Sequence, residues 1–327
     1  MSNFCDIPDE YIILPQVPSK TMRTFLKKLL FRYLYLFLPS QKSVVKDGTG
    51  VVSLLCHRDI KMFLISMSSF FYFIGRRYPI YAIDDGSLTK SDKGLLNKFF
   101  DIQVISTTDS TKNAKKQLSK KKYPHFYEYR FHQPNTFSKV KFDALLFCPF
   151  ERVICIDSDV LFFRPPKRII HWLEGEEKKA LYNVHNWKNV DDAQLPDMEH
   201  AFRELLAKFI KKDFTFRSTF NAGLFMIPNK KMMDLRKLDR LFKLFNEISY
   251  SRYSIVDETA LGCLLTNPKI GEALDPHEYI VAPFLIDYPQ EKSRKIQAIH
   301  YAAESKGIYP LDAVELVLKT HFFASVA

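Results

Sequence analysis

The chain has 327 residues, of which 46% are hydrophobic and ten are glycine, so a folded protein with a sizeable core is expected and collagen-like sequence is excluded. Its formal net charge of +11 favours anionic partners, such as phosphorylated small molecules, nucleic acid or lipid head groups. The five cysteines are widely spaced and no pair has zinc-ligand spacing, so reduced thiols are expected. The N-terminus carries Asp6, Asp9 and Glu10 and does not resemble a secretory signal, so the sequence predicts a cytoplasmic location.

Residues 1–48 are predicted to form an N-terminal extension with one helix. Its segment 24–38 is strongly apolar but contains Lys27, Lys28 and Arg32, so it is too short and too charged to span a bilayer. Two interpretations stay open. The helix packs on the core with its basic side chains reaching solvent, or it makes a peripheral contact with a membrane surface.

Residues 49–165 alternate between short apolar runs and segments of helical length, which is the βαβ pattern of a parallel sheet. The predicted elements are strands at 51–56, 79–83, 102–105, 152–156 and 160–163 and helices at 59–75, 90–100 and 137–148. Between them, the stretch 111–130 holds six lysines and Arg130 against Glu128 and is interpreted as a solvated surface. We therefore predict an α/β fold with a Rossmann-like, mostly parallel sheet and helices on both faces.

The second half of the chain has a weaker pattern. Its predicted elements are a charged helix at 198–211, a strand at 223–227, helices at 234–247 and 257–265, and a final segment around His300. No linker separates the halves, so residues 49–327 are predicted to be a single domain. We expect its donor half to be 49–165 and its acceptor half to be 166–327.

Two acidic clusters follow predicted strands, at the edge where open α/β sheets bind ligands. Asp84 and Asp85 could accept hydrogen bonds from a base or a ribose, although Asp-Gly is also an ordinary turn. Asp157 and Asp159 interrupt an apolar run, where unpaired carboxylates are costly. Hard cations such as Mn²⁺ or Mg²⁺ prefer oxygen ligands and are often completed by phosphates. The sequence therefore predicts a divalent metal on Asp157 and Asp159 that bridges a diphosphate.

The stretch 151–163 (ERVICIDSDVLFF) resembles the Asp-x-Asp strand of nucleotide-sugar glycosyltransferases of the GT-A fold, most of all the glycogenin and bacterial galactosyltransferase group called family 8. Other similar features occur in the same chain order: Lys141, 220–225 (FNAGLF), 257–261 (DETAL), and His300 followed six residues later by Lys306. The resemblance covers about 51–310. It implies a GT-A fold and transfer of a sugar from a nucleoside-diphosphate donor, usually a UDP-sugar.

Some positions depart from that family. The first strand with His57 and Arg58, and the turn 84–87, look more like inverting family 2 enzymes. Glu258 replaces the usual Gln, Gly262 stands where Asn is common, and the Pro-Trp that normally follows the lysine is absent. We expect retention of configuration, while these departures leave inversion open. The sugar and the acceptor, whether a glycan, a glycolipid or a protein, are not identified by the sequence, and neither is the oligomeric state.

Roles for the candidate residues follow from their chemistry and from the resemblance. A neutral imidazole is a common metal ligand, basic side chains can neutralise a departing diphosphate, and a carboxylate can deprotonate an acceptor. Asp257 could instead be a helix N-cap. The predicted assignments are the metal ligands Asp157, Asp159 and His300, the donor-binding residues His57, Arg58, Asp84, Asp85, Lys141, Ser158 and Lys306, and the candidate catalytic residues Asn221, Asp257 and Glu258.

Two other functions are compatible with parts of the sequence. A nucleotidyltransferase would also place paired carboxylates on a nucleotide phosphate, but it should have a glycine-rich loop near the first strand, and 53–59 contains no glycine. A nucleic-acid-binding protein would use the stretch 111–130, where Tyr123, Phe126, Tyr127 and Tyr129 are interleaved with lysines. Its binding would depend on salt and would survive Asp157→Ala.

Overall fold

A computed structural model describes residues 22–42, 45–133, 137–175, 177–184, 220–247, 256–281 and 295–320. The α-helices in these ranges are α1 (Met22–Leu34), α2 (Ile60–Ile74), α3 (Lys90–Phe99), α4 (Thr107–Gln117), α5 (Pro124–Phe131), α6 (Val140–Phe147), α7 (Lys167–Glu174), α8 (Leu235–Glu247), α9 (Val256–Leu265) and α10 (Tyr309–Thr320). The strands are β1 (Thr49–Leu55), β2 (Ile80–Asp84), β3 (Ile102–Ser106), β4 (Arg152–Ile156), β5 (Val160–Phe162), β6 (Ala180–Val184), β7 (Phe220–Ile227), β8 (Gly271–Ala273), β9 (Tyr279–Val281) and β10 (Ala298–His300).

A seven-stranded sheet in the order β3-β2-β1-β4-β7-β6-β8 forms the centre of the fold. Strands β3, β2, β1 and β4 are parallel, and β7 runs antiparallel to both β4 and β6. Strand β8 is parallel to β6. A second, three-stranded sheet has the order β5-β10-β9, and its strand β5 is the element that follows β4 in the chain. The predicted α/β fold with a mostly parallel sheet is confirmed.

The sheet separates two hydrophobic cores. Successive residues of β1 and β4 point to opposite faces, so Val51 and Ile154 belong to one core while Val52 and Val153 belong to the other. Helices α1, α2, α3, α7 and α10 cover the first face, and α4, α5, α6, α8 and α9 cover the second. Because both faces are covered, the central strands are nearly continuous apolar runs, as buried parallel strands require.

The predicted elements of 49–165 match the observed ones to within two residues at their ends, except that α6 begins three residues later than the predicted helix at 137–148, after a 3₁₀ turn at Phe137–Lys139. The predicted strand at 223–227 is longer, because β7 begins at Phe220. Helices α4, α5, α7 and α10 and strands β6, β8 and β9 were not predicted, and the predicted helix at 198–211 lies outside the described residues. The division into a 1–48 extension and a single domain stays a prediction.

The basic stretch 111–130 includes most of α4 and α5. Its lysines are exposed, but the aromatic side chains between them are not arranged for stacking on bases. Phe126 and Tyr129 are buried against Phe242 of α8, with the rings of Tyr129 and Phe242 stacked at a centroid distance of 4.0 Å. The described part of this stretch therefore offers exposed charge without the stacking surface that single-stranded nucleic acid would use.

Helix α1 packs on α10 with one face, through the edge-to-face contact of Phe31 with Tyr309 and through buried Leu34. The interpretation of a helix packed on the core is therefore correct for that face. The opposite face is exposed. None of the helices in the described ranges has the length and apolar character needed to cross a bilayer.

Candidate functional site

The topology brings several polar chain segments to one edge of the main sheet. Strands β1, β2 and β4 are parallel and all end there, with Leu55 paired to Asp84 in the register. Strand β7 runs the other way and begins at this edge, where the amide of Asp157 donates to the carbonyl oxygen of Gly223 at 2.8 Å. The segment after β4 therefore meets the first residues of β7, and the segments after β1 and β2 lie along the same edge.

Asp157, Asp159 and His300 form a cluster that could hold a metal ion. One potential ligand atom from each of the three side chains lies within 4.8 Å of the other two. Asp159 stands just before β5, and His300 is opposite Val160 because β10 is antiparallel to β5. The amide of Tyr301 donates to the carbonyl oxygen of Asp159 at 2.9 Å, which ties the two segments together.

The imidazole of His300 is held by the start of β7. Its Nδ1 lies 2.7 Å from Oδ1 of Asn221, and the same oxygen accepts from the amide of Gly223 at 3.1 Å. Since Oδ1 can only accept, Nδ1 carries the proton, and the neutral ring then has its lone pair on Nε2. Gly223 leaves the space for this ring, because a Cβ there would lie 2.2 Å from Cε1 of His300.

In the neutral ring, Nε2 of His300 is unprotonated and lies close to a carboxylate oxygen that has no hydrogen-bond partner. Oδ1 of Asp159 is buried and has no hydrogen-bond partner, and it lies 3.2 Å from Nε2 of His300. Two acceptors at this distance repel each other unless a proton or a cation lies between them. A divalent cation bound by both atoms would satisfy the oxygen and the nitrogen at once, and the donor set of two carboxylates and one imidazole suits Mn²⁺ or Mg²⁺.

Two lysines are paired with the two acids of the cluster. Nζ of Lys141 on α6 lies 2.9 and 3.2 Å from the carboxylate oxygens of Asp157 and donates to the carbonyl oxygen of Ala222 at 3.0 Å. Nζ of Lys306 lies 3.0 Å from Oδ2 of Asp159 and 3.1 Å from Oδ2 of Asp59. Each carboxylate therefore has a positive partner in the absence of a ligand.

The buried charges of the cluster shift one another's protonation equilibria. Burial opposes ionisation of Asp159, but Lys306 and His300 hold the pKa of its carboxyl well below the usual range. Burial also works against protonation of His300, yet the carboxylate of Asp159 raises the pKa of the imidazole. The pKa values of Lys141 and Lys306 are likewise raised by their aspartate partners, despite burial.

Asp59 is a member of the site that the sequence analysis missed. It ends the 3₁₀ turn His57–Asp59 after β1, is 6% exposed, and contacts Arg58, Ser158 and Lys306. The signal that could have identified it is its position after the carboxyl end of a buried parallel strand. Asp59 joins the cluster to the neighbouring turn, because it follows His57 and Arg58 directly.

The turn after β2 forms a second group of polar residues. Oδ1 of Asp84 accepts from the amides of Gly86 and Leu88, and its Oδ2 pairs with Lys93 at 2.9 Å. The carboxylate of Asp85 accepts from the amide and the hydroxyl of Ser87, whose oxygen in turn accepts from the amide of His57. The side chain of Asp84 thus stabilises its own turn, and its predicted role in donor binding stays a prediction.

Asp257 and Glu258 lie in the first turn of α9, next to the start of β7. Oε1 of Glu258 accepts from the amide of Ala222 at 2.9 Å. Asp257 is 6% exposed, and burial raises the pKa of its carboxyl to about 6, with Glu258 adding to the rise and Lys141 opposing it. A carboxyl group with this pKa can exchange a proton near neutral pH.

The structure therefore brings ten of the predicted residues into one region around the start of β7 and the end of β4, and joins His57 to the turn after β2. The region contains the predicted metal ligands and candidate catalytic residues together with Lys141, Lys306, Ser158 and Arg58. Asp85 and His57 are joined through Ser87, and Asp84 stabilises the same turn through the amides of Gly86 and Leu88. The individual roles stay predictions.

Comparison with solved structures identifies the architecture that carries this site. The chain is similar to mouse xyloside xylosyltransferase 1, with a TM-score of 0.50 and 9% identity over 79% of this chain and 98% of that one. The fold is of the GT-A type. The galactosyltransferase LgtC matches with a TM-score of 0.47 and 11% identity over 82% of this chain and 94% of that one. No protein-family model and no curated protein matches the sequence.

The predicted GT-A fold is thus confirmed, although identities this low establish a likeness of fold alone. In this GT-A chain, the polar cluster sits where open α/β sheets bind ligands, at the carboxyl ends of the parallel strands. The sequence pattern Asp157-Ser158-Asp159 therefore occupies the ligand-binding edge of the sheet.

Proposed function

We propose that this chain is a glycosyltransferase that transfers a sugar from a nucleoside-diphosphate donor with the help of a divalent cation. The observation that carries the proposal is the cluster of Asp157, Asp159 and His300, in which a buried carboxylate oxygen without a donor faces an imidazole nitrogen. Support comes from the GT-A fold, which this chain shares with a xylosyltransferase.

Asp157, Asp159 and His300 would hold the cation, and Asn221 would fix the tautomer of the imidazole. When bound, a Mn²⁺ or Mg²⁺ ion supplies Lewis-acid stabilisation of a departing diphosphate. The carboxylate of Asp59 and the lysine pairs hold the ligating oxygens in place around that position.

Lys141 and Lys306 are the groups best placed to act on the diphosphate itself. Each ammonium lies within 3.2 Å of a carboxylate of the cluster, so a diphosphate bound beside those acids would lie within reach of both positive charges. Negative charge develops on the leaving group as the glycosidic bond to the donor breaks, and fixed cations lower the free energy of that state.

Asp257 is our candidate for receiving the proton of the acceptor hydroxyl. Its buried carboxyl has a pKa raised to about 6 by burial, which suits a general base near neutral pH. Glu258, held by the amide of Ala222, would position the acceptor or the sugar. The likeness to family 8 favours retention, and the family 2-like first strand and turn keep inversion as the alternative outcome of a product analysis.

The donor is proposed to be a UDP-sugar, and the acceptor a glycan, a glycolipid or a protein. The base and the ribose of the donor would lie toward His57, Arg58 and Asp85. The 3₁₀ turn that contains His57 and Arg58 connects the turn after β2 to the cluster of Asp157, Asp159 and His300. This part of the proposal is supported by the sequence resemblance.

The test is a panel of nucleotide sugars with and without Mn²⁺. The melting temperature should rise with one donor only in the presence of the ion, and that donor should be slowly hydrolysed in the absence of an acceptor. Asp157→Asn and Asp159→Asn should abolish both effects, whereas Glu174→Gln, which changes an exposed carboxylate on α7, should leave both unchanged.

The products distinguish the remaining alternatives. Release of free sugar and nucleoside diphosphate supports the proposal, whereas release of pyrophosphate or transfer of a nucleotidyl group would identify a nucleotidyltransferase. Salt-dependent nucleic-acid binding that is unaffected by Asp157→Asn, together with no response to any donor, would overturn the proposal in favour of a binding protein.

A further inference from the structure

Helix α1 presents its more apolar side to solvent. Five large side chains of α1 are between 40% and 64% exposed, and we call them the apolar face: Phe25, Leu26, Leu29, Leu30 and Tyr33. Their spacing of three and four residues places them on one side of the helix. Leu36 and Phe37, in the 3₁₀ turn that follows, are 57% and 65% exposed and extend the apolar surface.

The opposite side of α1 is already used for packing. Phe31 contacts Tyr309 of α10, Leu34 is buried, and Lys27 pairs with Glu315 of α10 at 3.3 Å. The helix therefore has a fixed orientation, and rotating it to bury the apolar face would break these contacts. Contiguous exposed apolar surface of this kind marks an interaction site.

Basic residues border the apolar face. Lys28 and Arg32 are one helical turn apart along one border, and Lys61 of α2 lies 5.7 Å from the ring of Tyr35 in the turn after α1. The segment 22–42 contains no Asp or Glu, and Glu315 pairs with Lys27 and Lys319. The surface therefore combines apolar and positively charged groups, as helices that lie in the head-group region of anionic membranes do.

We propose that the apolar face of α1 docks on the surface of a bilayer that contains anionic lipids. The helix would lie in the plane of the interface, with its leucine and aromatic side chains among the acyl chains and Lys28 and Arg32 at the phosphates. A second copy of the chain is a poorer occupant, because a two-fold interface would bring the basic borders of two α1 helices together.

The docking surface is connected to the candidate site through α10. The ring of Tyr309 contacts both Phe31 of α1 and Tyr301, and Tyr301 follows His300 directly. The hydroxyl of Tyr301 also donates to Asp312 of α10. The proposal stands independently of the proposed function, but the two together would place the transfer site near a membrane.

The test is co-sedimentation of the full chain with vesicles, without nucleotide and with a chelator, so that the candidate metal site plays no part. We expect binding to vesicles of equal parts phosphatidylcholine and phosphatidylglycerol and much weaker binding to phosphatidylcholine alone. The triple variant Phe25→Ser, Leu29→Ser, Leu30→Ser should reduce binding by roughly tenfold or more. Because these side chains are exposed, the variant should keep its melting temperature.

Charge is tested by a matched pair of variants. Lys28→Gln with Arg32→Gln should weaken binding to the anionic vesicles by roughly fivefold for each charge. Lys115→Gln with Lys116→Gln removes the same charge from the exposed side of α4 and should have little effect. In a separate variant, Phe25→Trp should give a blue-shifted emission that is quenched by brominated lipids.

Three results would overturn the proposal. They are the absence of vesicle binding, binding that the triple serine variant retains, and equal losses for the α1 and α4 charge variants. Sedimentation velocity tests the alternative occupant. If the wild type is a dimer and the triple serine variant is a monomer, the apolar face binds a second copy of the chain and the membrane proposal is wrong.

Discussion

At the scale of single residues, the start of β7 organises the candidate site. Asn221, Ala222 and Gly223 contact His300, Lys141, Glu258 and Asp157 through one side chain and three backbone groups. The imidazole fits against this strand because position 223 has no side chain. The geometry around His300 therefore depends on a residue that carries no functional group of its own.

Gly223→Ala should weaken binding of a divalent cation. The new Cβ would lie 2.2 Å from Cε1 of His300, so the imidazole must leave its position beside Asn221 and Asp159. We expect the Mn²⁺ affinity measured by titration calorimetry with nucleotide present to fall by about tenfold to a hundredfold. Gly94→Ala is the control, because a Cβ there meets nothing within 4 Å, and an unchanged affinity in Gly223→Ala would contradict the assignment of His300 as a ligand.

Asp257→Asn should stabilise the protein at neutral pH while lowering activity. Burial raises the pKa of Asp257 from 3.8 to about 6, so between these values the folded protein holds a proton that the unfolded chain has lost. Stability from this group therefore falls as pH rises through that window, and the ionised carboxylate costs about 3 kcal/mol above it.

The measurement is the free energy of unfolding in denaturant as a function of pH. The variant should be more stable than the wild type by up to about 3 kcal/mol above about pH 6, with the difference vanishing below about pH 4. The charges of Lys141, Glu258 and Lys139 act on this carboxyl and remain in the variant, and the phenol of the neighbouring Tyr129 is neutral because burial raises its pKa. Asp101→Asn changes an exposed carboxylate and should show no such pH dependence.

At the scale of elements, α8 supports the second core through a cluster of aromatic rings. Phe242 is fully buried and contacts Phe126, Tyr129, Phe142 and Phe245. Two of these rings belong to α5, so the pair α5 and α8 closes the face of the sheet that carries α6 and Lys141. This packing also explains why the aromatic residues of the basic stretch point inward.

Phe242→Ala should lower the free energy of unfolding by about 3–5 kcal/mol, because it leaves a large cavity among these rings. Lys243→Ala, at an exposed neighbouring position on α8, should change it by less than about 0.5 kcal/mol. Chemical denaturation of both variants measures the difference. A cost below about 1 kcal/mol for Phe242→Ala would mean that the cluster is not packed as described.

At the scale of the whole molecule, the sequence predicted the parallel half of the fold well and the rest poorly. Strands β1, β2 and β4 are apolar runs, and acids stand at the ends of β2 and β4, so both the strand type and the ligand-binding edge could be predicted from local pattern. Strands β8 and β9 have three residues each, which is too short for a periodic signal. Strand β6 has five and was also missed.

The candidate site was only partly predictable for the same reason. Asp157 and Asp159 are adjacent in sequence, but the contact of Asp59 with Lys306 joins residues 247 positions apart. No local sequence pattern indicates such a contact. The space that Gly223 leaves for His300 and the hydrogen bond to Asn221 that orients the imidazole both depend on how β7 and β10 are positioned in the fold. Only the resemblance to family 8 linked His300 to the two acids.

The lysine pairs have a consequence for the order of events at the site. With Lys141 on Asp157 and Lys306 on Asp159, the resting pocket is close to electrical neutrality, so a free divalent ion gains little by entering it. A diphosphate would bring the missing negative charge and compete for the same ammonium groups. Without a donor, the protein would then bind little free divalent cation. The cation and the donor would bind together as one complex.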